Sequence, residues 1–181
     1  MIIRPAEAAD AAAVQAIYGH HVLHGTGTFE EEPPSIAEIE RRMTAIVQRG
    51  LPYLIAEIDG QAAGFAYAGP FRLRAAYRYT AEDSIYVHPE RLGQGVGRPL
   101  LEAVVEACRQ IGLHQLLAVI GDSANAGSIG VHRACGFELM GVTEGLGFKH
   151  GRWVDVVWMQ KALNGGADVA PAAAGLDLGG A

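Results

Sequence analysis

The stretch from Ser84 to Cys108, SIYVHPERLGQGVGRPLLEAVVEAC, limits the possible folds of this chain more than any other. It opens with β-branched and aromatic residues, Ile85, Tyr86 and Val87, and halts at His88-Pro89. It then passes through Gly93, Gly95 and Gly97 and continues with apolar residues at helical spacing: Leu100, Leu101, Val104, Val105 and Cys108. The pattern predicts a strand, a glycine turn and a helix. Glycines let the backbone come close to a ligand. The unpaired N–H groups at the start of the helix, together with its dipole, favour an anion there. The turn is therefore a candidate phosphate cradle. It lacks the Lys-Ser/Thr ending with which a P-loop reaches terminal phosphates and magnesium. Dinucleotide spacing is absent too, because the third glycine lies two positions after Gly95 rather than three.

The 181 residues, 50% of them hydrophobic, suffice for one domain with a substantial core. A net charge of −6 and the lack of a long basic run argue against nucleic acid or an anionic membrane as partner, so phosphate recognition has to be local. The N-terminus has no basic segment followed by an apolar one, and no stretch approaches a membrane span. Cys108 and Cys135 lack CxxC spacing and read as reduced core thiols. A cytoplasmic protein is expected.

Along the chain, Ile2 to Pro5 reads as a first strand, and Asp10 as the N-cap of a helix carrying Val14, Ile17 and Tyr18. His20, His21 and His24 close that helix; with no Cys, Asp or Glu at ligand spacing beside them, they read as cations at a helix C-terminus and not as a metal site. The segment GTGTFEEEPP (Gly25 to Pro34) is a loop with a large apolar residue, Phe29, inside it. Ser35 to Glu38 has the form of a capping box, opening a helix with Ile39, Met43, Ile46 and Val47 as its buried face. Strands are expected over Leu51 to Ile58 and Gln61 to Ala68, joined by an Asp59-Gly60 hairpin turn. Phe71 to Tyr79 is irregular and arginine-rich. Thr80 to Val87 is the strand that feeds the glycine turn, and a carboxylate on it, Glu82, is costly if buried without a partner or a task. A nearly continuous apolar strand, Leu113 to Ile120, follows the helix ended by Gly112. A short helix over Asn125 to Cys135 comes next, with Ile129 and Val131 facing inward. Phe137 to Phe148 and Arg152 to Leu163 are two strands around a Lys149-His150-Gly151 turn. Residues 1–163 thus form one domain, and the Gly/Ala/Pro-rich tail, residues 164–181, reads as disordered. The element order describes an α/β chain with a mixed sheet flanked by helices.

Several segments carry a resemblance. Leu92-Gly93-Gln94-Gly95-Val96-Gly97 is similar to the (Gln/Arg)-x-x-Gly-x-(Gly/Ala) pyrophosphate loop of the GCN5-related N-acetyltransferases, except that Leu92 stands where Gln or Arg is usual. Arg91, Gln94 or Arg98 is expected to compensate. RYTAEDSIYV (Arg78 to Val87), AVIGDSANAGSIGVHRACGF (Ala118 to Phe137) and GFKHGRWVDVVWMQ (Gly147 to Gln160) closely resemble the phosphinothricin and methionine-sulfoximine N-acetyltransferase branch of that superfamily. AYAGPF (Ala66 to Phe71) and the TFEEEP loop extend the likeness, which runs from Arg4 to Leu163. It implies a mixed, mostly antiparallel sheet of about seven strands, splayed between the fourth and fifth.

The resemblance also implies a chemistry. Acetyl transfer from a thioester to an amine needs a neutral amine, a stabilised oxyanion and a proton for the departing thiolate. Glu82 occupies the Glu of the family's TAE signature, which implies a general base. The superfamily usually carries a Tyr four residues before the Gly-Phe after the last helix; counted back from Gly136-Phe137 this chain has His132 there. An imidazole titrates near neutrality, so Glu82 and His132 would divide the acid and base work between them. Ile85, Tyr86 and Val87 are expected to meet the pantetheine arm of acetyl-CoA through backbone groups, with the Val87 N–H polarising the thioester carbonyl. Gly93, Gln94, Gly95, Val96, Gly97 and Arg98 would hold the pyrophosphate, and Asn125 and Ser128 match residues that touch the pantetheine in relatives. For a small amino-acid acceptor, Arg72 or Arg74 would pair with the carboxylate and Phe29 would cover the side chain. Acetyl-CoA is the implied cosubstrate, no metal is implied, and a homodimer is implied with Lys149 to Trp153 near its interface. Other acceptors, a peptide N-terminus or a polyamine drawn to Glu30, Glu31 and Glu32, are the competing enzymatic reading. A non-catalytic acyl-CoA sensor is the third.

Overall fold

The computed structural model describes residues 1–179. Its seven strands are β1 (Ile2–Pro5), β2 (Tyr53–Ile58), β3 (Gln61–Pro70), β4 (Thr80–Val87), β5 (Gln115–Gly121), β6 (Glu138–Lys149) and β7 (Arg152–Ala162). They form one sheet in the order β1-β2-β3-β4-β5-β7-β6. Every pairing is antiparallel except β4 with β5. The helices are α1 (Ala11–His24), α2 (Ile36–Gln48), α3 (Gly97–Ile111) and α4 (Ala126–Ala134).

The strand alternation divides the core in two. Ala66, Ala68 and Ala81 meet the apolar face of α3, where Leu100, Leu101, Val104 and Cys108 are fully buried. Each such leucine contributes roughly 2 kcal/mol of transfer free energy. Tyr53, Ile55 and Phe65 point the other way, against Val14, Ile17 and Tyr18 of α1 and Ile39 and Met43 of α2. Small residues on the α3 side let that helix lie close; Gly64, with the Tyr86 carbonyl 2.9 Å from where its Cβ would stand, is the tightest of them. Two-residue turns close the hairpins: Asp59 and Gly60 have φ of 53° and 74°, His150 and Gly151 have 51° and 73°. Gly112, at φ 89°, ends α3.

Three local expectations need correction. Asp10 precedes α1 but its carboxylate does not cap it; Oδ1 and Oδ2 accept from Arg4, and Oδ2 also from the Glu7 N–H. The capping box at α2 is half formed: Ser35 accepts from the Glu38 N–H, while the Glu38 carboxylate turns to Arg41 and Arg42. A charged partner within reach outcompetes a cap in both places. Val47 is exposed rather than part of the α2 face.

The tail does not trail away as its composition suggests. Up to Gly179 it lies along the domain, with Leu176 and Leu178 buried in the α3-side core. The Leu176 N–H donates to the Arg78 carbonyl at 2.8 Å and the Tyr79 hydroxyl to the Ala173 carbonyl at 3.0 Å. Two leucines spaced by one residue share a face of an extended segment, a signal that the surrounding glycines and alanines conceal. No helix among the described residues is long and apolar enough to cross a membrane.

Candidate active site

The parallel pairing of β4 with β5 runs from Thr80 opposite Gln115 to Asp83 opposite Ala118 and goes no further. Beyond it β4 stays with β3 as far as Val87, and β5 stays with β7 as far as Gly121. The two strands therefore diverge into a V. A cleft of about 370 Å³ fills it, walled by Asp83 to Tyr86, by Ala118 to Ile120, and by His21, Thr26, Asn125, Ser128 and His132. A second groove of about 370 Å³ lies over the glycine turn. Ile85, Asn125 and Ser128 belong to both walls, so the two form one path from the turn to the apex of the V.

The turn has the geometry of an anion cradle. Gly93 and Gly95 take φ of 74° and 79°, which residues with a Cβ rarely adopt, and the buried Val96 side chain pins the loop. Helix α3 then starts at Gly97 with no side-chain cap, leaving first-turn amides for a ligand. Of the groups expected to compensate for the exposed Leu92, Arg91 and Arg98 border the groove. Gln94 does not, because its amide turns back to donate to the Glu90 carbonyl at 2.7 Å.

Glu82 and Asp83 are neighbours on β4 that face opposite sides of the sheet. Glu82 stands opposite Gly69, on the side of Tyr67 and Phe65; Asp83 stands opposite Ala68, on the side of α3 and α4. Desolvation, helped by the like charge of Asp83 and opposed by Arg72, pushes the Glu82 carboxyl up to about 7. His132, on α4, is 2% exposed with both ring nitrogens engaged. Nδ1 lies 2.7 Å from the Ser128 carbonyl and Nε2 lies 2.9 Å from Asp83 Oδ2. Burial works to lower the imidazolium pKa, but the Asp83 carboxylate and the Ser128 carbonyl outweigh it and the net direction is up. The expected acid–base partner of Glu82 thus has no free ring nitrogen, and Asp83 stands with it.

Arg72 and Arg74 part company. Arg72 is exposed, stacks on Phe71 with 5.0 Å from Cζ to the ring centre, and is near enough to act on Glu82. Arg74 borders a groove with Leu176 to Gly179 of the tail. Phe29 does not wall the cleft; its ring sits over Gly147, where an added Cβ would come within 2.3 Å of it. The loop that carries it is held by its backbone. A Cβ on Gly121 would lie 2.0 Å from the Thr26 carbonyl oxygen, and buried Lys149 donates to the Thr28 carbonyl at 2.8 Å.

Sequence reasoning missed three further residues. His21 is half-buried, walls the cleft, packs against Tyr86 with the two rings tilted by 52° and lies 2.8 Å from the Val87 carbonyl; desolvation lowers its pKa, so it is no cation at a helix end. Asp122, at φ 75°, accepts from Thr26 Oγ, the Ala124 N–H and Arg152. Asp83 was in view beside Glu82, and the two-residue period of a strand would have turned it toward α4. Among the described residues no group of three or more His, Cys, Asp or Glu is placed to hold a metal ion.

Residues 3–158 match the model of the acetyltransferase (GNAT) domain. The chain belongs to the GNAT acetyltransferase family. It is 49% identical to a phosphinothricin N-acetyltransferase of Alcaligenes faecalis over 162 residues, 90% of this chain and 82% of the relative. It is 37% identical to an L-methionine sulfoximine/L-methionine sulfone acetyltransferase of Salmonella typhimurium, over 91% of this chain and 95% of that one. A GNAT phosphinothricin acetyltransferase from Sinorhizobium meliloti, solved in complex with acetyl-CoA, superposes with a TM-score of 0.91 at 45% identity, covering 94% and 92% of the two chains. This chain is thus an acyltransferase of the GNAT fold with acetyl-CoA as cosubstrate. Its residues fit that donor: the uncapped amides after Gly95 suit a diphosphate, and the path past Ile85, Asn125 and Ser128 suits a narrow arm.

Proposed function

We propose that this chain acetylates the α-amine of a small amino acid of the phosphinothricin, methionine sulfoximine or methionine sulfone type, by direct attack while donor and acceptor are bound together. The observation that carries the reading is Glu82, whose carboxyl is lifted to about 7 one residue before β4 and β5 part, behind the apex of a divergence that leads to the glycine turn. A base with that pKa is half ionised at neutral pH and strong enough to take a proton from an ammonium held against it. Acetyl-CoA supplies the acyl group when bound. Gly93 to Arg98 hold its diphosphate through backbone amides, and Ile85, Tyr86, Val87, Asn125 and Ser128 guide the arm. Arg72, next to Glu82 in charge if not in sequence, attracts the acceptor carboxylate, and Phe29 fixes the loop above it. Two relatives with these substrates in their names support the acceptor class.

The polyamine alternative is weakened by where the acidic run points. Glu30 is bound by Arg42 at 2.7 Å and by the Tyr18 hydroxyl at 2.9 Å, so only Glu31 and Glu32 are open. A second copy of the chain is the proposed partner. The edge strand β6 and its hairpin expose Leu139, Met140, Val142, Leu146, Phe148 and Trp153, apolar side chains concentrated at one edge of the sheet.

Thiol release from acetyl-CoA, followed against phosphinothricin, methionine sulfoximine, methionine sulfone, short peptides and polyamines, tests the reading. The first three should be preferred, and Glu82→Gln should lower kcat/KM by about 10²- to 10⁴-fold. Preference for peptides or polyamines, or an undiminished Glu82→Gln variant, would remove it.

A further inference from the structure

The unused feature of the site is a buried oxygen. Asp83 Oδ1 is the one buried side-chain polar atom without a hydrogen-bond partner among the described residues, in a side chain only 1% exposed. It belongs to the last residue of β4 that still pairs with β5, at the apex of the cleft it helps to wall. A buried carboxylate oxygen left bare forfeits the hydrogen bonds water gave it, so the site is incomplete until a ligand atom or its proton meets Oδ1.

The hydrogen bonds around His132 fix where protons can be. The Ser128 carbonyl only accepts, so Nδ1 carries a hydrogen. Nε2 faces Asp83 Oδ2 across 2.9 Å with no room for water, and two bare acceptors would repel there. One proton therefore lies between them. Glu82 on β4, Cys108 on α3 and Cys135 after α4 also feel Asp83 electrostatically. Burial pushes the Cys108 thiol up to about 12 and that of Cys135 in the same direction, which leaves them uncharged.

We propose that Asp83 is the acid of the reaction, delivering the shared proton to the departing sulfur, and that His132 is the positioning residue that keeps Asp83 supplied. This rests on the acetyl-transfer reading above. When the donor's C–S bond breaks, its electron pair stays on sulfur, and Asp83 gives sulfur the proton. Rotation about the soft Cβ–Cγ torsion brings the protonated oxygen to the cleft side. Asp83 is left ionised and His132 neutral with hydrogen on Nδ1. Over one cycle the acceptor ammonium loses two protons, one through Glu82; one of the two replaces the proton spent on sulfur and the other goes to solvent. The direction is downhill, because an ordinary thiol holds its proton to about 8.5. Glu82 and Asp83 thus serve the two ends of the reaction from the two faces of one strand.

Asp83→Asn tests this. At saturating acceptor it should lower kcat about 100-fold, with KM for acetyl-CoA changed less than threefold, and should remove the alkaline fall of the kcat profile. The second readout needs no turnover: ¹⁵N imidazole shifts of His132 in the wild-type protein and in Asp83→Asn. They should show Nδ1 protonated throughout and Nε2 sharing a proton at neutral pH, a proton given up at lower pH in Asp83→Asn than in the wild type. An Asp83→Asn enzyme within threefold of wild-type kcat, or a wild-type ring with a bare Nε2 at neutral pH, would overturn the proposal. Neither result would touch the acetyl-transfer reading, which the wild-type acceptor panel and Glu82→Gln test separately.

Discussion

Replacing Arg72 by Gln separates two jobs that the geometry gives one side chain. Glu82 owes its pKa of about 7 first to desolvation, then to Asp83, with Arg72 pulling the other way. At that value roughly 10% of the carboxyl is ionised at pH 6 and roughly 90% at pH 8, so kcat at saturating acceptor should rise about ninefold between them. A carboxylate left at its ordinary pKa would give a flat line there. The sign follows from the role: a base must be ionised, so the activity is present above the shifted pKa and lost as pH falls through it. Arg72 is the weakest of the three influences and its side chain is exposed, so its removal should raise the acid limb by only a few tenths of a pH unit. Arg72→Lys keeps the charge and should leave the limb in place. At 1 M salt the screening length shrinks to about 3 Å and the difference between Gln and Lys should vanish. The same Gln variant should raise KM for the amino-acid acceptor far more than KM for acetyl-CoA, because a planar fork no longer meets the carboxylate. Rates of thiol release across about pH 5.5 to 8.5 supply both readings. A flat wild-type profile would refute the assignment of Glu82 as base. An unmoved limb in Arg72→Gln would refute the electrostatic coupling while leaving the base in place.

Two further outcomes are expected. Gly121→Ala places a methyl group 2.0 Å from the Thr26 carbonyl oxygen, a backbone atom that cannot swing aside, so the loop from Gly25 to Glu32 has to move. Thermal unfolding should show a loss of about 1–3 kcal/mol, a few degrees in Tm for each, and unchanged stability would mean that the loop is looser than its contacts indicate. Sedimentation velocity should give a dimer for the wild type and a monomer for Phe148→Asp/Trp153→Asp; a wild-type monomer at about 10 μM would exclude the β6–β7 face as a self-association surface.

What could be read from the chain was local. Asp59-Gly60 and His150-Gly151 mark hairpins because only a few residue types accept two consecutive positive φ angles, and Gly112 marks the end of α3 for the same reason. The glycine turn and Glu82 were legible because spacing and a misplaced charge are properties of one short segment. Contacts between distant segments were not. Nothing near Asp10 or Glu38 announces that Arg4, Arg41 and Arg42 will claim them, and nothing near Leu176 announces the Arg78 backbone it binds. Arg72 and Arg74 look equivalent in sequence, yet one comes under Glu82's influence and the other borders the tail. His132 shows the limit most clearly. Its place before Gly136-Phe137 suggested an acid or a base, but what an imidazole can do depends on what occupies each nitrogen, here a carbonyl four residues back and a carboxylate 49 residues away. The sheet supplies the missing step. Because β4 leaves β5 immediately after Asp83, the strand's alternation turns two adjacent carboxylates into groups with separate surroundings. One is raised by desolvation on the face shared with α1 and α2; the other is tied to an imidazole on the face shared with α3 and α4. Adjacent residues in a helix or loop could not be kept so far apart in environment, so a chemistry that moves protons at two ends of one bond exchange is well served by a strand that divides the two faces.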